Sequence, residues 1–133
     1  MPTLIKNSLI SLAAIVAGGV MVAIVQMISH QLYPPPTGID FNDPDQLAAF
    51  MDQVPLGAKL WVVASWAIGM MTGAGIGLFL SGRTMWVATA AIVGLMGATS
   101  MNFFMIPHPV WMIAGAFLVA ILVWLGAKRV ANP

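Results

Sequence analysis

Apolar side chains make up 60% of this chain of 133 residues, whereas charged side chains make up only 7%. A soluble domain carries roughly a quarter charged residues, so this composition excludes a soluble globular protein. The net charge of +1 and the lack of any basic cluster longer than Lys128-Arg129 argue against a nucleic-acid partner, and the absence of cysteine excludes disulfides and thiolate metal sites.

Charged residues divide the chain into apolar stretches that are long enough to cross a bilayer, which takes about 20 helical residues. The last and longest stretch is interrupted by Pro107-His108-Pro109, where proline lacks an amide hydrogen and disfavours helix in the residue before it. The sequence therefore predicts an all-α integral membrane four-helix bundle, one domain over residues 1–133, with spans at about 8–28, 60–80, 85–105 and 110–127.

The basic residues predict the orientation of the four spans. Lys6, Arg83 and the Lys128-Arg129 pair fall on one side of the predicted membrane, whereas Lys59 falls on the other side with all four aspartates. Basic residues concentrate in cytoplasmic segments. We therefore expect a multi-pass protein of the bacterial cytoplasmic (inner) membrane, with the N- and C-termini in the cytoplasm.

Residues 29–59 form the one long loop, which is expected on the outer side. Asp43 is suited to cap a helix whose first residue is Pro44. Apolar residues then recur at helical spacing, at Leu47, Phe50, Met51 and Val54. The pattern predicts a short amphipathic helix of about ten residues. Two roles are open: a lid that covers the helix ends, or an element for partner binding or gating.

This loop resembles a loop in a known group of proteins. It contains Tyr33-Pro34-Pro35-Pro36-Thr37-Gly38-Ile39-Asp40, then a second acidic cluster, a Leu-Ala-Ala-Phe helix and a proline before the second span. In these features the chain resembles an uncharacterised group of small four-span bacterial inner-membrane proteins with a Tyr-Pro-rich outer loop. The resemblance covers most of the chain and implies the same topology, but it implies no activity.

Glycines at four-residue spacing mark one face of the second span: Gly69, Gly73 and Gly77. Such a face lets a neighbouring backbone approach closely, which favours helix packing in membranes. The neighbour could belong to the same chain or to another protomer. Trp66 lies deeper than the other tryptophans, which fit the two interfacial belts, so it is expected to pack inside the bundle.

Two histidines give the best candidate for a ligand or metal site. The predicted topology brings His30 and His108 to the outer rim, and four methionines are close to them in sequence: Met27, Met101, Met105 and Met112. Thioether sulfur suits Cu(I), and imidazole suits copper or zinc. The alternative is that the methionines fill gaps in the packing and the histidines lie at the interface, so no metal or other cofactor is assigned.

The sequence predicts no enzymatic activity, since it offers no catalytic residues. No charged residue lies inside a span, which argues against ion-coupled transport. The expected function is that of an accessory or assembly subunit acting through helix packing, with the lipid bilayer and a homo-oligomer or larger membrane complex as partners. The alternative is a homo-oligomeric transport module for a small neutral or apolar compound or Cu(I). A cavity reaching Gln26, Thr72 or Asn102 would favour the alternative.

Overall fold

The computed structural model describes all 133 residues and contains five helices and no strands. Four of the helices are long and apolar enough to cross a membrane, namely all except the short α2. The predicted all-α fold with four spans is confirmed, and the chain is a multi-pass membrane protein. The helices are α1 (Thr3–Leu32), α2 (Pro44–Gln53), α3 (Leu56–Leu80), α4 (Met85–Met105) and α5 (Val110–Ala131).

The spans lie where the hydropathy pattern predicts them, but three of them are longer than predicted. Helix α3 begins at Leu56 instead of about residue 60, α5 ends at Ala131 instead of about residue 127, and α1 is longer at both ends. It begins at Thr3 and ends at Leu32, beyond the predicted limits of 8 and 28. Lys6 and His30 bound the apolar stretch without ending the helix, because a single polar side chain leaves the backbone hydrogen bonds intact. The helix ends only before Pro34, since a proline disfavours helix in the residue that precedes it.

Helices α3 and α4 form the central pair of the bundle. Each of them packs against α1 and α5 as well as against the other, whereas α1 and α5 lie on opposite sides and are not in contact. We call the end that carries residues 33–55 and the turn at 106–109 the loop end. The opposite end, where α1 begins, α3 turns into α4 and α5 finishes, is the basic end.

The glycine face of α3 lies mainly against α1. A Cβ atom on Gly69 would overlap the side chain of Val22 and come within 2.8 Å of the carbonyl oxygen of Gly18. A Cβ atom on Gly73 would lie 3.0 Å from the carbonyl oxygen of Ala14. The two backbones therefore approach each other closely, with the side chains of Val22 and Leu95 packed beside the contact, as closely spaced small residues permit.

Gly77 lies on the same helix but contacts a different neighbour. A Cβ atom there would lie 3.3 Å from a side-chain methyl of Val87, at the start of α4. All three glycines thus pack against helices of their own chain. The core follows the central pair and includes Trp66, which is 2% exposed, as expected. The other members are Met70, Ala74, Leu78, Ala88, Ile92, Leu95, Met112, Ala116 and Ala127.

Candidate ligand cavity at the loop end

A cavity of about 600 Å³ lies at the loop end of the bundle. Its deepest residues include Trp66 of α3 and Met112 of α5, which are 2% and 1% exposed. Met70 is buried one helical turn below Trp66. The cavity is therefore closed toward the bundle core.

Helix α2 forms the roof of this cavity. Leu47 is buried. The apolar residues predicted to share one helix face all line the cavity: Leu47, Phe50, Met51 and Val54. Phe41 packs edge-on against Phe50, with ring centroids 6.0 Å apart. The apolar face of α2 therefore covers the space between the helix ends, as a lid would.

A dense set of hydrogen bonds fixes the start of α2. The carboxylate of Asp43 accepts hydrogen bonds from the backbone N–H groups of Asp45 at 3.0 Å and Gln46 at 3.4 Å, and from the side-chain amide of Gln46 at 3.1 Å. These bonds favour the charged form and hold the pKa of Asp43 below its ordinary value. The side-chain carbonyl of Gln46 also accepts the backbone N–H of Asp40 at 3.1 Å, so the cap ties α2 to the segment before it.

The proline-rich segment after α1, residues 33–36, closes one side of the cavity. Tyr33 and the three prolines that follow it are among the lining residues. The phenol of Tyr33 lies directly on Gly57 in the first turn of α3, so that a Cβ atom on Gly57 would overlap the phenol ring. Glycine at this position therefore lets the end of α1 pack closely against the start of α3.

Polar side chains lie in the wall formed by the helices. The side-chain amide of Gln26 donates a hydrogen bond to the hydroxyl oxygen of Ser65 at 3.2 Å, which links α1 to α3. The Ser65 hydroxyl donates in turn to the carbonyl oxygen of Val62 at 2.6 Å. Both Gln26 and Asn102 line the cavity. A bound molecule could therefore reach the side-chain carbonyl of Gln26 and the amide of Asn102.

His108 is held in one orientation. Its Nδ1 lies 2.7 Å from the carbonyl oxygen of Ile106, so Nδ1 must carry the hydrogen and donate it. The ring packs against Trp66 and Phe103, with centroid distances of 5.8 and 5.4 Å. In the neutral imidazole this leaves Nε2 as a hydrogen-bond acceptor.

The structure brings together only part of the predicted ligand set. His30 and His108 both line the cavity. Met27, Met101 and Met105 do not line it, and they are 64%, 63% and 70% exposed on the outside of the bundle. The chain contains no cluster of three His, Asp or Glu side chains placed to hold a metal ion. The two imidazoles therefore share the cavity lining with the thioethers of Met112 and Met51, but not with those of Met27, Met101 or Met105.

Some residues of the lining, such as Lys59 and Ala58, are not marked by any pattern in the sequence. Lys59 is the only charged residue in the lining, and none of the four aspartates lines the cavity. Ala58 is a small buried residue of the wall. A mostly apolar interior with a few polar groups at fixed positions is the usual composition of a small-molecule site.

Comparison with protein-family models, with curated proteins and with solved structures finds no match to this chain. The function therefore has to be inferred from the residues and their arrangement.

Proposed function

We propose that this is a non-enzymatic membrane protein that binds a small, mostly apolar molecule in the cavity at its loop end. The observation that carries the proposal is the reach of the cavity, which extends to the polar side chains of Gln26 and Asn102 beneath a folded lid. A protein that acts only through helix packing needs no such space. Since Lys59 is the only charged residue in the lining, the cavity disfavours a positively charged molecule.

Binding, rather than passage across the membrane, agrees with the packing below the cavity. Trp66, Met70 and Met112 are almost fully buried there. Of the three residues expected to mark a transport path, Gln26 and Asn102 line the cavity, whereas Thr72, which lies deeper on α3, does not. A transport cycle would need α3 and α5 to separate, whereas binding needs only that the lid admit a molecule.

We further propose that the loop end faces outward from a bacterial inner membrane and that both termini are cytoplasmic. The basic end carries Lys6, Arg83, Lys128 and Arg129, whereas the loop end carries Lys59 and the four aspartates. Basic residues concentrate in cytoplasmic segments. The cavity would then take up its molecule from the outer leaflet or from the space outside it.

The test compares two equal substitutions. Ala58→Phe places a ring in the cavity, whereas Ala98→Phe adds the same ring at an exposed position on α4. Mass spectrometry of protein purified in mild detergent should find a bound small molecule in the unmodified protein and in Ala98→Phe, but not in Ala58→Phe. The same content in all three proteins would contradict the proposal.

A second measurement tests whether the cavity is accessible. The chain has no cysteine, so single-cysteine variants need no altered background. Asn102→Cys in the cavity should react with a small water-soluble thiol reagent much faster than Ala98→Cys, because the thiolate forms only in contact with water. Equal and slow reaction at both positions would mean that the cavity is closed or filled by protein.

The second candidate function is that of an accessory or assembly subunit. It is supported by α5, where only 17% of the most apolar stretch is buried, compared with 44% for α3. An apolar helix face on the edge of the bundle could contact a homo-oligomer partner or a larger membrane complex. Crosslinking in native membranes from a photoreactive side chain at Leu118, which is 57% exposed on α5, tests this role. Crosslinks to lipid alone would reject it.

A further inference from the structure

A second cavity lies at the basic end and differs in character from the first. It is a groove of about 760 Å³ between α3 and α5. The glycines Gly75 and Gly126 leave room in the groove because they have no side chains. Phe79 and Leu122 are among its apolar residues. Arg83 is the only charged residue in its lining.

Arg83 lies at this groove in an unusual backbone conformation. Its φ angle is +68° and that of Gly82 is +66°, so two consecutive residues are left-handed, which is unfavourable for a residue with a Cβ atom. Hydrogen bonds hold the turn: the N–H of Arg83 donates to Leu78 at 2.7 Å, and the hydroxyl of Thr84 donates to the carbonyl of Ser81 at 2.8 Å. The turn therefore retains an arginine where glycine would fit without strain.

No acidic side chain is available to Arg83 at the basic end. All four aspartates lie between residues 40 and 52, at the loop end. A second copy of this chain in the same orientation would bring its own Lys6, Arg83, Lys128 and Arg129 to that level of the membrane, and no carboxylate side chain. A helix of a second copy could fill the apolar groove, but it would leave the guanidinium without an anion.

We propose that this groove binds an anionic phospholipid, with an acyl chain between α3 and α5 and the headgroup phosphate at Arg83. The groove can hold the acyl chain, because it is mostly apolar and lies between two membrane-spanning helices. The lone guanidinium at the end of the groove accounts for the phosphate, which arginine binds through its fixed fork of N–H donors. This inference is independent of the function proposed for the loop-end cavity.

The experiment is a lipid titration followed by native mass spectrometry. Phosphatidylglycerol and phosphatidylcholine with identical acyl chains are added to the detergent-purified protein, and bound lipids are counted. One phosphatidylglycerol should bind per chain with a preference of about fivefold or more, the factor corresponding to one basic residue near an anionic lipid surface. Equal binding of the two lipids would overturn the proposal.

Variants distinguish lipid binding at the groove from a general attraction of anionic lipids to the positive charge of the basic end. Arg83→Gly should abolish the preference while leaving the lipid-free protein at least as thermally stable, because glycine relieves the left-handed strain. Arg83→Gln removes the charge but keeps the strain, and it should lose the preference too. Arg129→Gln removes an equal charge outside the groove and should keep the preference.

A groove-filling variant tests the acyl-chain part. Gly75→Leu adds a side chain where nothing lies within 4 Å, so the bundle can accept it while the groove becomes narrower. Binding of phosphatidylglycerol should fall with no loss of stability. If Arg129→Gln weakens binding as much as Arg83→Gly, or if protein dimers form that carry no lipid, the groove is not a lipid site.

Discussion

The direct backbone contact between α1 and α3 can be tested with two neighbouring glycines. Gly18 faces α3, and a Cβ atom added to it would lie 2.6 Å from the carbonyl oxygen of Gly69 and 2.6 Å from a methyl of Leu95. Gly19, the next residue, has nothing within 4 Å of its Cβ position. The same change, glycine to alanine, therefore meets a packed backbone at one position and open space at the other.

The expected difference can be worked out from these distances. Alanine favours helix over glycine by about 0.8–1.0 kcal/mol, and this gain applies equally to both positions. At Gly18 the added methyl needs about 0.8 Å more room to reach an ordinary contact of 3.4 Å with the oxygen of Gly69. Overpacking of this kind costs about 1–3 kcal/mol. We therefore expect Gly18→Ala to be less stable than Gly19→Ala by about 1–3 kcal/mol.

The assay is unfolding by sodium dodecyl sulfate of protein held in mild detergent micelles, followed by circular dichroism. Comparing the two variants with each other removes the shared effect of helix propensity. Equal free energies of unfolding for Gly18→Ala and Gly19→Ala would refute the direct contact between the α1 and α3 backbones.

Four further predictions concern the glycine face, the topology, the histidines and the lid. Gly73→Leu should lower stability in detergent without changing the oligomer mass, because it faces α1 of the same chain, whereas Gly75→Leu should be tolerated; a changed mass with a folded monomer would instead place Gly73 between chains. Thr37→Cys should react with an impermeant thiol reagent from outside the cell and Gly82→Cys only from inside, and the reverse pattern would invert the topology. Cu(I) titration should show no tight stoichiometric binding, because three of the four predicted thioether ligands lie outside the cavity; tight binding that is lost in a His30→Ala/His108→Ala double variant would contradict this. Asp43 has a lowered pKa, so its charged cap should stabilise α2 fully above the ordinary value of 3.8 and be lost only as the pH falls through the lowered pKa. Amide exchange of Asp45 and Gln46 measured by NMR should show this, and loss of their protection at pH 5 would argue against the cap.

The sequence predicts the number and position of the spans because both depend on local properties. Hydropathy locates the apolar stretches, and the proline pair around His108 separates α4 from α5. The same is true of α2, where the cap at Asp43 and the spacing of Leu47, Phe50 and Met51 define the helix and its apolar face. These features depend on residues only a few positions apart.

The arrangement of the spans is not predictable in the same way. The glycine spacing on α3 indicates a close contact, but three candidate helices and a second protomer could supply it. Gly69 and Gly73 contact α1, whereas Gly77 contacts α4. This division depends on the angles at which whole helices cross. The cavity depends on the same tertiary packing, which is why His30 and His108 face one space while Met27 and Met105 point away from it.

The low burial of α5 has a consequence for the order in which the helices separate during unfolding. Elements with few buried side chains open first, and α5 buries the smallest share of the four spans. Heat or a change in bilayer thickness would therefore loosen α5 while α1 and α3 stay joined. The groove beside Arg83 would widen first, whereas most of the loop-end lining belongs to the surviving pair and the segment between them. We therefore expect the groove to lose its structure under milder conditions than the loop-end cavity.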